Sequence, residues 1–127
     1  MTDPLAQFAR AKYISLETFR KTGVGVRTPV WFAADPAAPE MFYVYSEADA
    51  GKVKRIRNNQ HVRVAPCSVR GTLRGAWVDG QAHLIDGEEA EKGQELLRRK
   101  YGWMKRIGDF FSRGMGHKQA MLQIKVG

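Results

Sequence analysis

What most constrains the fold of this chain is an apolar–polar alternation of period two, recurring in short runs that Gly and Pro interrupt. Tyr13-Ile-Ser-Leu-Glu-Thr-Phe19 sets Ile14, Leu16 and Thr18 against Ser15 and Glu17, which predicts a half-buried strand. Gly23 and Gly25 punctuate a turn, after which Val26 to Ala34 places Val26, Thr28, Val30 and Phe32 on one face and Arg27, Pro29, Trp31 and Ala33 on the other. Pro29 has no N–H to donate, so this second strand belongs at an edge or at a local opening. Asp35-Pro-Ala-Ala-Pro39 is a turn, and Met41 to Ser46, dense in aromatic and β-branched residues, is a third strand that completes a meander. His61 to Ser68 is a fourth. Thr72 to Ile85 alternates again, with Leu73, Trp77, His83 and Ile85 in one register and Ala76, Val78, Ala82 and Leu84 in the other. Asp79-Gly80 in its middle has the composition of a type I′ hairpin turn. The phase runs unbroken across the Gly, which favours one long, bent strand. Met121 to Val126 closes the chain with Leu122, Ile124 and Val126 on one side.

Between these runs the period changes. Pro4 to Ala11 reads as a short leading helix, with Asp3 as N-cap and Pro4 at the first helical position. Within Ser46 to Asn59, Val53 and Ile56 form the apolar pair of a short helix, with Lys54 and Asn58 pointing away. Glu88 to Tyr101 is a longer helix carrying Ala90, Leu96, Leu97 and Tyr101 on its apolar face, acids in its first turns and Arg98, Arg99 and Lys100 in its last, as the helix dipole prefers. Another short helix is expected around Met104 to Phe111. Six strands with two or three short helices predict a mainly β fold, a small antiparallel β-barrel. At 127 residues the chain is a single domain, 1–127. A domain of this size buries only ~65–70% of its unfolded surface, so a cofactor or a partner subunit is expected to add to a modest core.

The charge is basic and unevenly placed: 21 Lys and Arg against 13 Asp and Glu leave a net +8. Residues 51–78 carry Lys52, Lys54, Arg55, Arg57, Arg63, Arg70 and Arg74 with no acid, whereas 79–95 holds Asp79, Asp86, Glu88, Glu89, Glu91 and Glu95 against Lys92. Such a balance suits nucleic acid, an anionic membrane surface or an acidic small molecule. No apolar stretch approaches the ~20 residues that span a bilayer. The lone Cys67 cannot form an intrachain disulfide and Met1 to Arg10 lacks the apolar run of a signal peptide, so a cytoplasmic location is expected.

No familiar catalytic constellation is present: there is no Walker loop, no Gly-x-Gly-x-x-Gly and no zinc-type spacing, and His61, His83 and His117 are too scattered for a metal site. Asp86, Glu88 and Glu89 read as solvated charges at a helix start. Gly51-Lys-Val-Lys-Arg-Ile-Arg57, preceded by Ser46-Glu-Ala-Asp-Ala50, opens a helix. Its first N–H groups with Lys52 and Arg55 would hold a phosphate; the other reading is a solvated basic face. Arg27-Thr-Pro-Val-Trp31 would offer backbone groups and a ring face to a planar heterocycle, or else is ordinary edge-strand packing. Cys67, in Val64-Ala-Pro-Cys67, reads as a buried small hydrophobe and is assigned no catalysis.

Lys12-Tyr-Ile-Ser-Leu16, Thr28-Pro-Val-Trp-Phe32, Gly51 to Arg57, Val64 to Cys67, Gly80-Gln-Ala-His-Leu84 and Arg99-Lys-Tyr-Gly-Trp103, in this order and spacing, resemble the pyridoxamine 5′-phosphate oxidase-like group. Within it the resemblance is to the coenzyme F420-dependent oxidoreductases. It implies a homodimer of six-stranded split β-barrels of the FMN-binding type, with two flavin-type sites at the subunit interface. Carried over by position, Lys52 would hold the cofactor phosphate, helped by Ser46 and Arg55. Thr28, Pro29, Val30 and Trp31 would lie along the ring system, with Pro66 and Cys67 near it. The implied activity is hydride transfer from reduced F420 to a small organic acceptor; the cofactor carries the chemistry, so no dedicated catalytic residue is expected. FMN is the alternative cofactor, and a barrel that binds cofactor for storage or sensing is another. From a different class, a basic barrel with Tyr43, Tyr45, Trp77 and Trp103 would stack bases. The basic run sits at one helix start and does not spread along a groove, so neither nucleic acid nor membrane is the expected partner.

Overall fold

The computed structural model describes residues 3–48, 50–101 and 119–127. Their six strands are β1 (Tyr13–Phe19), β2 (Gly25–Asp35), β3 (Ala38–Glu47), β4 (His61–Cys67), β5 (Val78–Ile85) and β6 (Gln119–Val126). All pairings are antiparallel and close a barrel in the order β1-β2-β3-β6-β5-β4, β4 returning to β1. β1 to β3 are the expected meander. Helix α1 (Gly51–Asn58) joins β3 to β4, and α2 (Gly87–Tyr101) follows β5.

Alternation supplies the interior: Ile14, Leu16, Phe32, Val44, Leu122 and Ile124 are 0–1% exposed. Burying each such side chain is worth about 1.5–3 kcal/mol. Both ends of the barrel are stoppered. At one, α1 turns in Val53 and Ile56, the apolar pair its sequence marks. At the other, Phe8 stands edge-on to Phe42 and Phe32, with ring centroids 5.1 and 6.3 Å away. α2 lies across the outside, where Leu97 and Tyr101 pack with Ala33, Tyr43 and Met121. Gly93 permits this approach, since a Cβ there would stand 2.8 Å from the Tyr43 ring. Lys92 Nζ, 2.6 Å from Asp35, ties the helix to the end of β2.

Four expectations change. β1 is not half-buried: Ser15 and Glu17 on its outer face are 3% and 5% exposed. Glu17 accepts from Arg27 Nε at 3.0 Å and Arg63 Nη1 at 3.2 Å, and both guanidiniums lie over the Trp77 ring. The strand expected over Thr72 to Ile85 holds only from Val78. Before it, Leu73 makes one bridge to Cys67, and Ala76 exchanges both backbone groups with the Gln7 side chain in place of a neighbouring strand. Gly80 stays inside β5 with no hairpin; a Cβ there would lie 3.0 Å from the Lys125 carbonyl oxygen on β6. The leading helix shrinks to one 3-10 turn, Ala6–Phe8, with Asp3 Oδ1 accepting the Leu5 N–H. The fourth change is β3, which begins at Ala38, inside the expected turn, rather than at Met41, while α1 opens at Gly51 as expected. The helix expected at Met104 to Phe111 lies outside the described residues.

No helix among the described residues is long and apolar enough to cross a membrane.

Candidate functional site

The barrel wall opens where β2 changes partner. β2 pairs with β1 from Gly25 to Trp31, but with β3 only from Phe32 to Asp35. β3 meanwhile continues along β6 as far as Glu47. The stretch of β2 before Phe32 and the Tyr45–Glu47 end of β3 therefore diverge. Pro29 stands on that unpaired edge of β2, where its missing N–H breaks no ladder. A cavity of about 400 Å³ fills the cleft. Tyr13, Trp31 and Tyr45 make its aromatic walls, Pro29 and Val30 its β2 edge, and Ser46, Glu47 and Lys52 its polar end, with Ala50 and Val69 at the margins.

The polar end is built by α1. Its N-cap is Ala50, which has no side-chain acceptor to offer. The N–H groups of Val53 and Lys54 reach the Ala50 carbonyl at 3.1 and 3.3 Å, and those of Gly51 and Lys52 find no backbone acceptor among the described residues. Unsatisfied N–H groups at a helix start, aligned with the positive end of the dipole, favour an anion. The Lys52 ammonium is on the cavity wall, and burial, then the charge of Arg55, pushes its pKa below the usual lysine value, opposed by Glu47. No carboxylate among the described residues forms a salt bridge with it. An anion entering the cavity would relieve that desolvation.

Of the sequence-assigned residues, Pro29, Val30, Trp31, Ser46 and Lys52 meet at this cavity. The others do not line it. Arg55 turns its Nε to Thr18 Oγ1 at 2.7 Å and lays its guanidinium over Gly51, on the first turn of α1. Thr28 Oγ1 is buried, with no hydrogen bond among the described residues. Pro66 packs against Gly75. Cys67 is 4% exposed, and burial pushes its thiol pKa up, as befits a small core residue. The acid-free cationic run does not form one patch either: only Lys52 of it reaches the cavity, Arg63 serves Glu17, and Lys54, Arg57, Arg70 and Arg74 are exposed.

Tyr13, Tyr45 and Glu47 were missed as wall residues, although each holds the outward register of its strand beside the opening. Also missed was the brace behind Trp31. Tyr101 stacks on Trp31 with ring centroids 5.8 Å apart. Its hydroxyl accepts the Phe32 N–H at 3.3 Å and donates to the Phe32 carbonyl, 2.9 Å away, or to that of Lys12. Lys100 Nζ donates to the same Phe32 carbonyl at 2.9 Å. Because β1 begins at Tyr13, the backbone of Phe32 on that side has no strand residue to pair with, and α2 supplies the partners.

No protein-family model and no curated protein matches the sequence. Solved structures do match in shape. A candidate pyridoxamine 5′-phosphate oxidase from Listeria innocua superposes with a TM-score of 0.65 at 17% identity, over 96% of this chain and 89% of that one. The haem storage protein HutZ from Vibrio cholerae matches with a TM-score of 0.67 at 13% identity, over 93% and 83%. An F420 reductase matches with a TM-score of 0.60 at 14% identity, over 100% and 95%. The chain thus has the split β-barrel fold of the pyridoxamine 5′-phosphate oxidase-like proteins.

Proposed function

We propose that the chain is a coenzyme F420-dependent oxidoreductase with its cofactor in the cleft between β2 and β3. One observation carries the reading: a single cavity joins an anion-favouring end, Lys52 at the uncapped start of α1, to an aromatic slot edged by the unpaired backbone of β2. That combination suits a planar heterocycle on a phosphorylated tail. The F420 reductase that shares the fold over the whole chain supports the same cofactor, and the candidate pyridoxamine 5′-phosphate oxidase makes FMN the rival.

In this reading Lys52 and the Gly51 and Lys52 N–H groups bind the phosphate, with Ser46 beside them. Trp31, held from behind by Tyr101, and the Pro29–Val30 backbone orient the ring and keep water from one of its faces. When bound, reduced F420 would supply a hydride to an organic acceptor and be left as the oxidised deazaflavin. The protein contributes position and exclusion of water, so no acid or base is needed among the wall residues. The proposal includes a homodimer. Val69 on the cavity margin and Leu73 beyond it are 53% and 41% exposed, and a second copy would cover them. Arg70 and Arg74 between and beside them suit the carboxylates of the F420 tail.

Fluorescence titration with F420 and, separately, FMN tests the proposal. Saturable binding with F420 the tighter ligand is expected; preference for FMN or binding of neither overturns it.

A further inference from the structure

A second cavity, about 550 Å³, lies further along β2 from the cleft, between the N-terminal turn and α2. Leu5, Phe8, Phe32, Ala34 and Leu96 give it apolar walls, with Arg99 and Lys100 on the α2 side and Asp3 opposite. Its volume lies within the range of small-molecule sites, and its pattern, apolar walls with few convergent polar groups, is that of a ligand pocket. We propose that it binds a small amphipathic monocarboxylate, the apolar body against Leu5, Phe8 and Leu96 and the carboxylate on Lys100.

Lys100 has hydrogen-bond donors to spare. An ammonium carries three donors. Lys100 Nζ spends one on the Phe32 carbonyl at 2.9 Å and lies 3.5 Å from the centre of the Phe32 ring, and no carboxylate among the described residues forms a salt bridge with it. A desolvated cation without a counter-ion is costly, and burial pushes its pKa down to about 7. An anion in the cavity supplies the missing charge and acceptors. The neighbouring charges are already engaged: Arg99 Nε meets Glu95 at 3.2 Å, and Asp3 Oδ1 accepts the Leu5 N–H at 2.9 Å. One cation with no salt bridge among the described residues, above an apolar floor, selects a singly charged head on an apolar body rather than a polyanion. The site shares no wall residue with the cleft. It is therefore a second site and not an extension of the cleft.

The test is calorimetric titration of the full chain with octanoate, and with octan-1-ol as the neutral control. Saturable one-to-one octanoate binding, at least tenfold tighter than octanol, is expected. Lys100→Met should weaken octanoate by tenfold or more while sparing octanol, and Lys52→Ala should change neither. Should Lys100→Met fail to fold, backbone amide NMR of the wild type decides: octanoate must shift the amides of Ala34 and Leu96 rather than those of Tyr45 and Lys52. Absent octanoate binding, binding that survives Lys100→Met, or shifts confined to the cleft overturns the proposal.

Discussion

Tyr101→Phe tests the brace behind the cleft, because it removes one oxygen and leaves the ring on Trp31 and Leu97 in place. That oxygen is the acceptor for the Phe32 N–H and a donor to the Phe32 or Lys12 carbonyl. In the variant the Phe32 carbonyl keeps Lys100 Nζ, but its N–H, in a residue 1% exposed, has no acceptor left. An orphaned buried donor costs about 1–3 kcal/mol. The bond lost is long, 3.3 Å, so the lower half of that range applies, about 1–2 kcal/mol. Urea denaturation should show this as a lower midpoint with the slope unchanged. Combining the change with Lys100→Met strips the Phe32 carbonyl of both donors, so the double variant should lose about 1 kcal/mol more than the singles added together. A Tyr101→Phe protein within about 0.5 kcal/mol of wild type would refute the assignment of the brace; strict additivity with Lys100→Met would place the hydroxyl proton on the Lys12 carbonyl instead.

Three further outcomes follow from particular residues. Lys100 titrates at about 7 when folded against 10.5 in the open chain, so between those values the unfolded state holds the extra proton. This group then makes stability rise with pH across that window, by at most about 1.4 kcal/mol per pH unit, and denaturation midpoints of Lys100→Met should rise less steeply there than those of wild type. Gly93→Ala should destabilise by about 1–3 kcal/mol in thermal or urea unfolding, since its Cβ would stand 2.8 Å from the Tyr43 ring and 3.1 Å from Met121 Sδ. Cys67, buried with a raised thiol pKa, should react with a chromogenic disulfide reagent at pH 8 far more slowly in the native protein than in urea; equal rates would place it at the surface.

Strand faces and the short helix were legible because their signals are local. Pro29 announced an unpaired edge, and β2 does leave β3 there; Val53 and Ile56 announced which face of α1 turns inward. What alternation does not carry is who covers an outward residue. Glu17 reads as solvated along β1, yet Arg27 and Arg63, from two other strands, enclose it with Trp77. Thr72 to Trp77 alternates like a strand, but the Ala76 backbone bonds the Gln7 side chain, far away in the chain, and the Arg74 N–H turns to the Pro66 carbonyl. Lys100 reads as a dipole charge at the end of α2, whereas its stem reaches back to Phe32. The cluster of cations after Gly51 was equally deceptive, since helix and strand geometry aims neighbouring residues in different directions. Lys52 faces the cleft, while Lys54, two residues on, is exposed.

That last pair supplies the most direct measurement on the claim that the cleft seats the cofactor phosphate at the start of α1. F420 affinities of wild type, Lys52→Ala and Lys54→Ala would be compared by fluorescence titration. Loss of one charge-assisted contact, about 1–3 kcal/mol, should weaken Lys52→Ala roughly 5- to 150-fold and leave Lys54→Ala at the wild-type value. Equal losses in the two variants, or an unchanged affinity in Lys52→Ala, would contradict it.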